Sequence, residues 1–91
     1  MIYSVNYDLK KPGQDYSGLY EAIKSCGVWW HYLDSTWLLD TSLDANGIWQ
    51  KLQSHVDKND NVLIIGVTKD RAGWLPKDAW TWINSRRSKA A

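Results

Sequence analysis

Few side chains in this sequence could do chemistry, and they are scattered along it. The carboxylate with the best claim is Asp8, which ends the run "IYSVNYD". A carboxylate at the end of a strand, beside a loop, is placed to hold a hydrated Mg²⁺. One carboxylate alone makes a poor site. In a two-fold dimer the same Asp arrives twice, and the two repel each other unless a cation sits between them. That cation could polarise a phosphate and activate water. The plainer reading gives Asp8 a capping role in the turn before "KKPG", and spacing alone favours it. Asn6 lies on the same side of the strand and joins Asp8 as a ligand-binding candidate.

The other candidates are weaker. His31 could be a general base, but a lone His between Trp30 and Tyr32 reads first as a packed residue. His55 falls late in a helix, where a cation favours the dipole, and reads as structural. Cys26 lies on the apolar side of its helix and reads as core. As the single cysteine it can form no internal disulfide. No His, Cys, Asp and Glu spacing suits zinc, and no catalytic triad or phosphate loop is legible. Trp74 stands in "RAGWLP" with Arg71 nearby. It reads as a lid over the sheet edge, with stacking on a base as the alternative. Arg86, Arg87 and Lys89 cluster in "NSRRSKAA", a basic tail over residues 85–91 expected to be flexible, with phosphate contact as its functional reading.

These residues need elements to position them. Residues 2–8 alternate with a period of two, as a strand does, and turn Tyr3, Val5 and Tyr7 to one side. Pro12-Gly13 signals a turn. Leu19, Ile23 and Cys26 recur at helical spacing, with Asp15 or Ser17 as cap and Gly27 closing the helix in the left-handed conformation. "VWWHYL" and residues 36–41 form a hairpin across Asp34-Ser35. Ile48, Leu52 and Val56 mark a second helix capped by Ser42 or Asp44. "NVLIIGV" is almost wholly apolar, the mark of a central strand covered on both faces. Pro76 opens a third helix carrying Ala79, Trp80 and Ile83. The order β-α-β-β-α-β with an added C-terminal helix is the ferredoxin-like pattern. It implies an α+β domain over residues 1–91: a four-stranded antiparallel sheet, two helices on one face, and the first and fourth strands central.

The chain has 91 residues, a net charge of +1, seven Trp, five Tyr and no Phe. That charge neither demands nor excludes nucleic acid. Three of the Trp fall within residues 29–37. Both sides of the hairpin are therefore apolar or aromatic, whereas a sheet face open to water should carry polar residues. A second copy of the chain is the simplest cover, which predicts a homodimer; nucleic acid laid across the rings is the alternative. No leader and no span of about 20 apolar residues is legible, so a cytoplasmic protein with no membrane partner is expected.

"YSVNYDL", a helix ending at "CG", then "WWHYLDSTWLLD" and "NDNVLIIGV" together resemble the small dimeric CRISPR-associated subunit of the spacer-acquisition complex. The virulence-associated protein D toxins are a more distant similarity. The likeness covers about residues 2–67. It implies a ferredoxin-like homodimer with Asp8 near the two-fold axis and Ser35 in a matching position. It also implies association with nucleic acid, as a Mg²⁺-dependent endonuclease or as a scaffold on DNA. The chain departs from that family in the first helix, which has no Arg, after Gly27, where Val28-Trp29-Trp30 replaces a basic residue, and in its C-terminal end. The expectation is a small dimeric nucleic-acid-associated protein with Asp8 as catalytic and metal-binding residue. Asn6, Ser35, Trp74, Arg86 and Arg87 are its binding candidates. The alternative is a non-catalytic binding or scaffold module for a nucleotide, small ligand or protein on the same fold.

Overall fold

A computed structural model describes residues 1–10 and 15–88. The elements are β1 (Ile2–Asp8), α1 (Ser17–Lys24), β2 (Val28–Leu33), β3 (Thr36–Asp40), α2 (Ala45–Leu52), β4 (Asn61–Gly66) and α3 (Lys77–Asn84), with one 3₁₀ turn (Gln53–His55) after α2. The expected Pro12-Gly13 turn and the end of the basic tail at 89–91 lie outside the described residues. Among the described residues the fold is α+β: one four-stranded sheet, antiparallel at every pairing, and three α-helices. No helix among the described residues is long and apolar enough to cross a membrane.

The sheet order is β2-β3-β1-β4. The central strands are therefore β3 and β1, and β4 lies at the edge, against the expectation from its apolar run. The reason is visible in its alternation. Val62 and Ile64 pack on the core, while Leu63 and Ile65 are 58% and 48% exposed. A run apolar on both sides can be covered twice or can leave one side bare, and here one side is bare.

Period two sorts β1 as the sequence implies. Tyr3 and Val5 join Leu19, Ile23, Cys26, Trp37, Leu39, Ile48 and Leu52 in one buried cluster, with Tyr7 packed against it. This is the face that α1 and α2 cover. The other face carries Ile2, Ser4, Asn6 and Asp8 from β1. Ile2 pairs with Asp40, and Arg86, just beyond α3, donates to the Asp40 carboxylate at 2.9 Å. The Arg87 carbonyl accepts from the Ile2 N–H. Ile2, Ala79 and Ile83 are buried outside the main cluster. The segment that ends α3 is thus tied to the Ile2 end of this second face.

Local signals explain the ends of the helices. Asp44 caps α2, accepting from Gly47 N–H at 2.7 Å, so Asp44 and not Ser42 is the cap. At the start of α1 the N-cap position is Tyr16, with no side-chain cap bond, so neither Asp15 nor Ser17 is the cap; Asp15 accepts from Ser17 N–H just ahead of the helix. Gly27 serves a purpose other than a left-handed cap. A Cβ there would collide with the Asp40 carbonyl oxygen, so only glycine lets the chain pass the end of β3. Behind it, buried Thr41 donates to the Cys26 carbonyl at 2.6 Å and accepts from Leu43 N–H.

Of the hairpin tryptophans, Trp37 is core, Trp30 half-buried and Trp29 exposed. Trp29 opposes Leu39 and meets Trp37 on the α1/α2 side, whereas Trp30 stacks on Tyr32. A register shift between Trp30 and Leu33 bulges β2 opposite Trp37.

Candidate functional site

Asp8 ends β1 opposite Asn61 at the start of β4. A shallow cleft of about 330 Å³ forms there, lined by Asn6, Tyr7, Asp8, Asn61, Val62 and Leu63. The Asp8 carboxylate is exposed and meets Lys10 Nζ at 2.7 Å. Two residues back on the same side, Asn6 is held by three hydrogen bonds. It donates to Ser4 Oγ (3.1 Å) and to the Leu63 carbonyl (3.3 Å), and accepts from Thr36 Oγ1 (3.0 Å). These bonds fix which way the amide points. A polar strip of Ser4, Asn6 and Thr36 thus runs across the central strands, with exposed Leu63 and Ile65 beside it on β4.

The floor beneath Asp8 is built on the core side of β1. The Tyr7 hydroxyl accepts from Trp37 Nε1 at 3.0 Å and donates to the Asp34 carbonyl at 3.2 Å. Burial is the larger influence and pushes the phenol up from its usual value, against the indole bond that pulls it down. His31 stacks on Trp37 with centroids 3.8 Å apart, and its Nε2 lies 3.3 Å from the same Asp34 carbonyl. That contact puts the proton on Nε2. His31 is an exposed residue of β2 that lies flat on the Trp37 ring, not a buried one. Ser35, in that turn, is exposed, and its carbonyl accepts from Tyr7 N–H. Asn6, Asp8 and Ser35 therefore belong to one end of the sheet.

Asp60 holds the same end together and was not evident as a candidate. It is buried, and its Oδ1 accepts from Lys10 N–H (2.7 Å) and from the Tyr16 hydroxyl (2.9 Å), its Oδ2 from Asp57 N–H (3.0 Å). It ties the chain leaving β1 to the start of α1 and to the turn before β4. "DKND" shows a turn, but nothing in its spacing says which Asp goes inside.

Arg86 and Arg87 lie at the opposite end of β1, about 20 Å away at the usual strand rise. Arg86 sits at 2.9 Å from Asp40 and covers the Trp82 ring at 4.4 Å, and its Nε–H is buried without a partner. Burial alone would raise the Asp40 carboxyl, but Arg86 and the N-terminal ammonium outweigh it and hold it below its usual value. The Arg87 side chain is exposed. Trp74 is 98% exposed, so it covers nothing and is no lid.

A pocket of about 440 Å³ opens at this end, lined by Lys69, Arg71, Trp80, Asn84, Arg86 and Ser88. Arg71 is its best-anchored side chain. It donates to the Thr68 carbonyl (2.8 Å), Ser88 Oγ (2.6 Å) and Asn84 Oδ1 (3.1 Å). Sequence spacing hides this grouping because its members come from the loop after β4, the end of α3 and the segment beyond.

His55 packs elsewhere, at the start of α1, where a Cβ on Gly18 would lie 2.9 Å from its ring. Cys26 is buried, which pushes its thiol up. No group of three His, Cys, Asp or Glu that could hold a metal ion is present among the described residues. No family model matches this chain, and no curated protein or solved structure matches it either.

Proposed function

We propose that this chain is a ferredoxin-like, nucleic-acid-associated protein that works as a homodimer, with Asp8 of the two copies forming a Mg²⁺-dependent endonuclease site. The observation that carries the reading is the position of Asp8. It is an exposed carboxylate in a cleft whose rim includes Leu63, the more exposed of two bare apolar residues on edge strand β4. The order β2-β3-β1-β4, with both hairpin strands on one side of β1, supports the split βαβ arrangement. So does the likeness of "YSVNYDL" and "WWHYLDSTWLLD" to the small CRISPR-associated subunit.

The donor set fits a hydrated cation only as a pair. One chain offers one carboxylate in this cleft, and it is paired with Lys10. A second copy seated on Leu63 and Ile65 brings the second carboxylate, and the two together outcompete the lysine for a divalent ion. A bound Mg²⁺ supplies a polarised phosphate and an activated water. Asn6, immobilised by its three bonds, then shapes the cleft wall, and Asn61 opposite Asp8 offers a further polar contact for the strand. The single buried cysteine supports a cytoplasmic, reducing compartment.

The test has two arms. Purified protein should sediment as a dimer and cleave RNA or DNA with Mg²⁺, and Asp8→Ala should abolish cleavage while leaving the dimer intact. Leu63→Glu with Ile65→Glu should give a monomer that no longer cleaves. A monomeric native chain, or full activity in Asp8→Ala, overturns the reading. The second reading, a non-catalytic binding module, is favoured by the 2.7 Å Asp8–Lys10 pair, which leaves each monomer without a free carboxylate in the cleft. Partner binding unaffected by chelation would establish it.

A further inference from the structure

We infer that the pocket between the loop after β4 and the end of α3 is a phosphate site for a nucleotide. It is independent of Asp8 and lies at the other end of β1. The argument starts from Arg71. This half-buried guanidinium is fixed from three directions, and all its acceptors are neutral: a carbonyl, a hydroxyl and an amide oxygen. A guanidinium that gives up part of its water and has only neutral acceptors keeps its charge uncompensated. Asp70, its neighbour in sequence, is exposed and makes no ion pair among the described residues. Arg71 is thus oriented in advance while its charge is left for an incoming anion.

The surrounding charges point the same way. Lys69 is exposed on the same wall, and Arg86 lines the pocket with a guanidinium shared with Asp40. Three cations therefore face one carboxylate, and the Arg86 Nε–H still has no acceptor. Asn84 and Ser88 add neutral polar groups to the wall. Phosphate esters suit such a set, because planar guanidinium groups bind them by paired hydrogen bonds. An aromatic ring in the wall makes the ligand a nucleotide in place of a bare anion. Trp80 forms that part of the pocket wall. Bases stack on such rings without sequence preference. The volume of about 440 Å³ is that of a small-ligand site.

The experiment is a titration of the full chain, followed by tryptophan fluorescence, with 5′-AMP, adenosine and a short single-stranded oligonucleotide. AMP should bind and adenosine should not. Tighter binding of the oligonucleotide assigns the phosphate to a strand, and equal or weaker binding assigns it to a free nucleotide. Lys69→Glu, at an exposed position that leaves the fold intact, should weaken AMP binding about tenfold or more, and Arg71→Gln more still. Asp8→Ala should bind as the native chain does, which separates this site from the cleavage reading. The inference is overturned if AMP does not bind, if adenosine binds as well as AMP, or if Lys69→Glu retains native affinity.

Discussion

Each end of β1 presents a carboxylate on the second face of the sheet, and the two are treated in opposite ways. Asp40, paired with Ile2, is gripped by Arg86 at 2.9 Å and by the N-terminal ammonium at 3.2 Å. Asp8 stands in an open cleft with one flexible lysine for company. Two cations from separate parts of the chain make Asp40 a fastening between β3 and the C-terminal segment. One cation two residues away makes Asp8 a group that can exchange partners. The same contrast holds for the arginines: Arg86 is spoken for, and Arg71 is fixed but electrically unanswered. A charged residue becomes a functional candidate when its position is held by something other than its counter-ion.

The largest effect should come from Asp60, which makes the Asp8 end rigid. Asp60→Ala removes the carboxylate that accepts from the Tyr16 hydroxyl and from the N–H groups of Lys10 and Asp57. Each bond to a charged group contributes roughly 1.5–3 kcal/mol. Thermal unfolding should show a Tm at least about 10 °C below that of the native chain. A drop of only a few degrees would mean that the Asp8 end is held by other contacts.

At the other end, Asp40→Asn should lower Tm by about 4–8 °C, corresponding to about 1 kcal/mol for a partly exposed pair. Its effect should also depend on pH. The folded-state carboxyl lies below its usual value, so the stability it contributes is present above the unfolded value near pH ~4. It is lost as pH falls through the lower folded value. Urea titrations of the native chain and Asp40→Asn should therefore differ at neutral pH and converge in that acid range. Parallel curves down to the lowest pH would deny Asp40 its fastening role.

Periodicity made much of this fold legible. The alternation of β1, the helix spacing around Leu19 and Ile23, and the hairpin across Asp34-Ser35 each state a local preference that packing then respects. The edge position of β4 was not legible, because apolar residues on both sides of a strand describe the strand and not what covers it. The lid reading of Trp74 failed for a related reason: a large ring in a loop carries no local signal of contact. Asp8 was legible because it ends a clean alternation. The Arg71 pocket was not, since Thr68, Asn84 and Ser88 converge only in the folded chain.

The smallest effect is expected from Asp8 itself, and that smallness is the point. The side chains of Asp8 and Lys10 are 62% and 52% exposed, and such pairs commonly contribute well under about 1 kcal/mol. Asp8→Asn should leave Tm within about 2 °C of the native chain while removing the charge on which the proposed cleavage depends. Asp8 also opposes Asn61 in the β1–β4 ladder, and its backbone bonds survive the substitution. A loss of stability as large as that of Asp40→Asn would make Asp8 a second fastening. Thermal neutrality together with lost cleavage would show that β1 holds the fold at one end and offers a reactive group at the other.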